Sequence, residues 1–87
     1  MSGKLIDMPI GAARAEKWRA GREKFGPMFV GHPLEELHDE LIDAMNYTTA
    51  AILRRKLTLL EGTLLGAELL AMCERVRELY RRCEDIE

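Results

Sequence analysis

The stretch that decides the fold is residues 33–56, which read PLEELHDELIDAMNYTTAAILRRK. Its apolar residues recur at gaps of three and four, which places them along one face of an α-helix. Pro33 suits the first turn of such a helix, and Glu35 and Glu36 follow where the helix dipole favours negative charge. The pattern therefore predicts a helix over residues 34–56. Its apolar stripe consists of Leu34, Leu37, Leu41, Met45, Thr48 and Ile52.

The last part of the chain carries a second apolar stripe, whose gaps alternate between four and three. This seam is typical of coiled coils and predicts a helix over residues 63–86 that packs against other helices. A turn is expected within residues 57–63, because Thr58 and Glu61 have the spacing of a capping box and Gly62 follows them. A single helix running on through this point is the alternative. The predicted interface residues are Leu65, Leu69, Met72, Val76, Leu79 and Ile86, with Cys83 in the same stripe.

Upstream of residue 33 the sequence predicts three segments. Residues 1–9 form a loose arm broken by glycine and proline, and residues 12–24 have the composition of a short helix, for which Ile10 is the alternative start. Trp18 is expected to pack that helix on the rest of the protein. Residues 25–33 contain two glycines and two prolines, which rule out a regular helix, yet several of them are large and apolar. This apolar loop is expected to fold back onto the helices.

Size and composition predict how these segments combine. The chain has 87 residues, enough for one small domain with a modest core, and 47% of them are hydrophobic. Two or three helices cannot bury that much apolar surface alone. The sequence therefore predicts an all-α fold: a short N-terminal helix, an apolar loop and a long antiparallel helical hairpin. Association into a homo-oligomer, a dimer or a tetramer, completes a four-helix-type core.

Charge and cysteine usage exclude several classes of protein. The net charge is -2, with 13 basic and 15 acidic residues interleaved, which argues against nucleic-acid binding. Residues 57–72 are apolar, but they contain two glutamates and are too short for a membrane span. No signal peptide is evident. Cys73 and Cys83 are about 15 Å apart on a straight helix, too far for a disulfide. Two reduced thiols suit a cytoplasmic location.

The candidate for chemistry is an acidic face on the helix predicted over residues 34–56. Glu36, Glu40 and Asp43 lie within about 60° of one another on it. Carboxylates at this spacing suit Mg²⁺, which takes oxygen ligands and can hold nucleotide phosphates. A solvated helix face is the alternative, since soluble helices usually expose their acidic residues.

A basic cluster at the end of the same helix is the candidate substrate site. Its members, the predicted phosphate contacts, are Arg54, Arg55 and Lys56. An equally good explanation is that these positive side chains stabilise the negative end of the helix dipole. Further acids that could complete a metal site are Glu16, Glu23, Glu74 and Glu78, while Arg75 and Arg77 could instead neutralise the acidic face as salt bridges.

The residues from Glu36 to Tyr47 resemble the second metal-binding helix of the MazG-like, all-α nucleoside triphosphate pyrophosphohydrolases. Members of that group carry an E-x-x-D pair followed by a small residue and an aromatic. Here Glu40 and Asp43 match the pair, with Ala44 and Tyr47 behind them. The resemblance covers about residues 16–50 and extends to small phage-encoded relatives of the group.

The chain departs from the family in its earlier motif, E-E-x-x-E. Only Glu16 fits it, and Arg19 stands where the family has a ligand. The resemblance implies a helical oligomeric scaffold, and Mg²⁺-dependent hydrolysis of a nucleotide to its monophosphate and pyrophosphate if another subunit supplies acids.

Two functional hypotheses follow, and the sequence leaves open whether the protein is an enzyme. The first is a degenerate or minimal MazG-like domain that acts on nucleotides with Mg²⁺. The second is a non-catalytic helical module that self-associates. No residue is assigned as catalytic in either.

Overall fold

A computed structural model describes residues 3–25 and 31–86 of the chain, with side chains to residues 24 and 83 respectively. The chain divides at Gly31 into two compact units. All regular structure in the described ranges is helical, so the predicted all-α class is confirmed. The predicted apolar loop lies largely at residues 26–30, outside the described residues. The elements are a 3-10 turn at Leu5–Asp7 and three α-helices, α1 at Ile10–Phe25, α2 at Pro33–Leu53 and α3 at Leu59–Ile86.

The first unit contains the 3-10 turn and α1. The predicted arm contains the 3-10 turn, and α1 begins at Ile10, the earlier of the two predicted starts, and ends at Phe25. Arg19 lies on the surface of α1 and pairs with Glu16 and with Glu23, the latter at 2.5 Å. Both carboxylates raise the pKa of Arg19, Glu16 more strongly. Trp18 exposes 57% of its surface.

The start of α2 follows from its flanking residues. Gly31 has φ +98°, a conformation that glycine adopts without the cost a side chain would add. His32 is the N-cap, and its Nδ1 accepts a hydrogen bond from the backbone N–H of Leu34 at 3.1 Å. Pro33 opens the helix where its missing N–H costs nothing. The helix therefore starts at Pro33, one residue before the predicted boundary.

The end of α2 is a Schellman motif, and the predicted end at residue 56 is wrong. The N–H of Lys56 donates to the carbonyl of Ala51 at 2.8 Å, and the N–H of Arg55 donates to the carbonyl of Ile52 at 3.0 Å. Arg55 adopts φ +58°, the left-handed conformation that terminates a helix. Glycine usually occupies this position, and an arginine there gives no terminal signal in the sequence. The three basic residues Arg54, Arg55 and Lys56 therefore lie in the turn after α2 and not in the helix.

Replacing Arg55 with glycine is expected to stabilise the protein by about 1 kcal/mol, because glycine removes the cost of a left-handed Cβ. Arg54 is the matched control, since it has φ -89° and no such strain. Arg54→Gly should leave stability unchanged or lower it. Urea unfolding at one fixed protein concentration measures both. Equal effects of the two substitutions would contradict this account of the turn.

The start of α3 is set by the capping box that the sequence predicted. The N–H of Glu61 donates to Oγ1 of Thr58 at 3.1 Å, and the N–H of Thr58 donates to Oε1 of Glu61 at 2.8 Å. The helix therefore begins at Leu59, and the predicted start at residue 63 is wrong. Gly62 lies inside the helix. The alternative of one unbroken helix is also excluded, because the turn separates α2 from α3.

This capping box makes stability depend on pH. The backbone N–H of Thr58, which donates to the Glu61 carboxylate, lowers the pKa of that group from its usual 4.5, and the Thr58 side chain lowers it further. A carboxylate with a lowered folded-state pKa stabilises the fold above its unfolded pKa, and the contribution is lost as pH falls through the lowered value. Glu61→Gln keeps the cap but cannot titrate. The wild type should lose more stability than this variant between pH 7 and pH 3 in urea titrations; identical losses would contradict the assignment.

The hairpin of α2 and α3 holds a small core. Leu41, Cys73 and Val76 are buried, and Leu34, Ile42, Met45 and Leu69 pack around them. Thr48 is also buried, and its hydroxyl donates to the carbonyl of Ala44 at 2.9 Å, so no polar group is stranded there. Cys73 and Cys83 are both free thiols, as predicted. Within the described side chains no large residue is fully buried, so this core alone is thin for a stable domain.

Gly62 brings the two helices together near the turn. A Cβ at this position would overlap Cδ1 and Cγ1 of Ile52. Gly62 is buried, and the side chain of Ile52 occupies the space that its missing side chain leaves. The face of α3 that packs on α2 contains Gly62, Leu69, Cys73 and Val76. The predicted apolar seam of α3 only partly overlaps this face and extends to one side of it around the helix. Leu65 and Met72, which belong to the predicted seam, expose 40% and 51% of their surfaces.

Candidate functional site

The structure leaves the predicted metal ligands in solvent. Glu36, Glu40 and Asp43 are all exposed on α2. Within the part of the chain that the structure describes, no three His, Cys, Asp or Glu side chains are grouped closely enough to hold a metal ion. One chain therefore presents an acidic surface without a formed coordination site.

The acids that could complete a metal site are placed elsewhere. Glu16 and Glu23 are each paired with Arg19 on α1. Glu74 lies on the side of α3 turned about 100° from Cys73, away from the edge of α2 that carries Glu40. The proposed neutralisation by Arg77 is not what the structure shows, because Arg77 donates to His38 instead.

The basic cluster is also separated from the acidic face. Arg54, Arg55 and Lys56 are exposed in the turn between α2 and α3. Eleven residues of helix separate Asp43 from Arg54, which is about 16 Å along the axis. Within one chain, the predicted phosphate contacts therefore do not lie beside the predicted metal ligands.

A polar cluster at the opposite end of the hairpin joins the two helices. The hydroxyl of Tyr80 donates to Oε1 of Glu35 at 2.8 Å, and its ring lies edge-on to His32 with centroids 4.9 Å apart. Arg77 Nε donates to Nε2 of His38 at 2.8 Å. Since arginine can only donate, Nε2 of His38 carries no proton, and its Nδ1–H points to the neighbouring Asp39 carboxylate at 3.1 Å.

These contacts line a shallow cleft of about 540 Å³ between α2 and α3. Local sequence patterns do not predict this cleft, because the contacts between its two walls join residues that are far apart in the chain. Its walls carry acids and bases in similar number, and the contacts of Tyr80 with Glu35 and of Arg77 with His38 cross from one helix to the other. The cluster therefore serves to hold the two helices in register.

An apolar face runs along one side of the hairpin. Leu65, Met72 and Leu79 are spaced by seven residues on α3, so they form one row. Leu37, Ala44 and Ala51 form a second row of the same spacing on α2. At about 100° per residue, each row is rotated in the same sense around its helix from the residues that pack between α2 and α3. Because the two helices are antiparallel, both rows therefore lie on the same side of the hairpin. Leu37 exposes 45% of its surface, similar to Leu65 and Met72.

This apolar face contains three of the six predicted interface residues. Leu65 and Met72 are exposed and Leu79 is half-buried, whereas Val76 is buried and Leu69 packs against the core of the same hairpin. The side chain of Ile86 lies outside those that the structure describes. The predicted seam thus divides into an inner part that closes the hairpin and an outer part that faces away from it.

Comparison with known proteins adds no family assignment. No family model matches the chain, and no curated protein or solved structure is significantly similar to it. The resemblance to the MazG-like group therefore rests on the short motif around Glu40 and Asp43. Among the described helices, none has a stretch both long enough and apolar enough to cross a bilayer.

Proposed function

We propose that this protein is a non-catalytic helical module that works by self-association. The outer apolar face of its α2–α3 hairpin packs against the same face of a second copy. Two hairpins joined in this way make a four-helix core.

The observation that carries this proposal is the outer face itself. Its two rows, on α2 and on α3, repeat every seven residues along the hairpin, which is the spacing of helices that pack side by side. Leu37, Leu65 and Met72 are roughly half-exposed there. Among the side chains that the structure describes, three apolar ones are buried inside one hairpin, so covering this face adds the burial that a hairpin lacks.

The direct test is the mass of the full chain in solution. Sedimentation equilibrium from about 1 to about 200 µM spans the affinities of ordinary self-associating proteins. We expect a dimer or a tetramer at the upper end of this range. A monomer throughout the range would overturn the proposal.

A second candidate function is suggested by the three exposed carboxylates. Glu40 lies next to the apolar row of α2 and Asp43 lies further out, so a partner that covers the apolar face comes close to Glu40 first. An oligomer could then complete a Mg²⁺ site between subunits, as a MazG-like nucleotide pyrophosphohydrolase requires. The phosphates of a nucleotide would be the substrate group held by the metal.

Calorimetric titration tests the metal site directly. If the second candidate holds, Mn²⁺ or Mg²⁺ should bind the wild type, and Glu40→Gln should weaken binding by about tenfold or more, because one charged ligand is lost. Glu74→Gln, which removes an equivalent charge from another surface, is the control. Absence of binding heat from the associated wild-type protein would contradict a metal-dependent enzyme.

A further inference from the structure

We propose that the second copy lies with its α2 over α3 of the first, so that Glu40 and its acidic neighbours face Arg75 across the interface. This inference rests on the proposed self-association and adds the orientation of the partner to it. It also gives the acidic face of α2 a role that needs no metal.

At the level of Glu40 the two outer edges of the apolar face carry opposite charges, whereas one heptad earlier on α3 the position of Arg75 is held by an acid, Glu68. On α2, Glu40 is turned about 40° outward from Ala44, and Glu36 and Asp43 lie further out. On α3, Arg75 is turned about 60° outward from Met72. All these charged residues are exposed, and the described ion pairs do not join Arg75 to any of the acids.

The register of the hairpin places these charges at the same height. The Arg77–His38 hydrogen bond puts Arg77 level with His38. Because the helices are antiparallel, moving two residues forward along α2 corresponds to moving two residues back along α3. Glu40 is therefore level with Arg75, although the two lie on outer edges of different helices and point away from each other.

A two-fold axis parallel to the helices brings the opposite charges of two copies together. Such an axis keeps every residue at its own height and sets α2 of one copy on α3 of the other. Glu40 of each copy then meets Arg75 of the other copy, twice in the dimer. A two-fold axis across the helices would instead set α2 on α2 and bring the acidic rows together near Asp43, where like charges repel. The charge pattern favours the parallel axis.

Charge reversal tests this orientation. Glu40→Arg and Arg75→Glu should each weaken self-association by about tenfold or more, since each places two like-charged pairs in the dimer. An equimolar mixture of the two variants should form a heterodimer with an affinity near that of the wild type, because both cross-pairs are then opposite in sign. If Glu40 and Arg75 instead paired within one chain, mixing the two variants would not restore an oppositely charged pair. Glu74→Arg is the matched control and should associate like the wild type.

The outcomes separate this inference from the proposed function. If the wild type associates, and mixing the two variants gives no recovery, the parallel-axis arrangement is wrong and self-association stands. Association of either single variant as tightly as the wild type also overturns the arrangement. If the wild type is a monomer, the proposed function fails first. Circular dichroism of each variant confirms that the helices are retained.

Discussion

Replacing Met72 with glutamate is expected to abolish self-association at concentrations where the wild type is fully associated. Met72 is 51% exposed at the middle of the outer row of α3. In a two-fold dimer, Met72 of each copy is buried in the interface. Burying a whole methionine side chain contributes about 1.5–3 kcal/mol, and about half of each Met72 remains to be buried. The loss over two copies is therefore about 1.5–3 kcal/mol, which weakens association by about tenfold to a hundredfold. Desolvation of the two introduced carboxylates adds to that effect.

Leu70→Glu is the matched control for this prediction. Leu70 lies two residues away on the same helix and exposes 48% of its surface, but it is turned to the opposite side of the hairpin. It should associate like the wild type. Sedimentation velocity at matched concentrations gives the oligomeric state of each variant. If both substitutions dissociate the protein equally, the interface is not the face assigned here.

Replacing Gly62 with alanine is expected to destabilise the hairpin by about 1–2 kcal/mol, although alanine favours helices. Helix propensity alone would stabilise the variant by up to about 1 kcal/mol. The new Cβ, however, would overlap two side-chain carbons of Ile52. Isoleucine is confined to one main χ1 rotamer in a helix, so it cannot easily move aside. Overpacking of this kind costs about 1–3 kcal/mol, which exceeds the gain.

Gly66→Ala supplies the control, because Gly66 lies on the same helix with no atom near the position of an added Cβ. It should stabilise the protein by about 0.5–1 kcal/mol. In an Ile52→Ala background the overlap is gone, so Gly62→Ala should then stabilise as well. Thermal unfolding at one protein concentration measures the four variants. A loss of stability from Gly62→Ala that persists without the Ile52 side chain would contradict the close-approach explanation.

Local signals in the sequence predicted the helices well. Pro33, the Thr58–Glu61 capping box and the three-and-four spacing of apolar residues each act within a few positions along the chain. The predicted end of α2 is wrong because Arg55 takes a conformation usually given to glycine. The predicted start of α3 is wrong because a glycine at position 62 is typical of a turn, whereas here it lies inside the helix and contacts Ile52.

The candidate site was predicted less completely. The acidic residues are indeed exposed along α2, but their distance from Arg54 depends on where that helix ends. The polar cluster around His38 and Tyr80 could not be predicted, since its members come together only once the hairpin forms. Their charges and hydroxyls resemble ordinary surface residues in the sequence.

By itself, the sequence determined that this protein is all-α, approximately where its helices lie and that its last helix carries an apolar stripe. Only the tertiary structure decided which residues of that stripe close the hairpin and which face outward. All of them share one periodicity, so local pattern cannot choose between them. The choice follows from Gly62, where the absence of a side chain lets Ile52 approach, and from the Arg77–His38 contact, which holds α3 at the matching rotation.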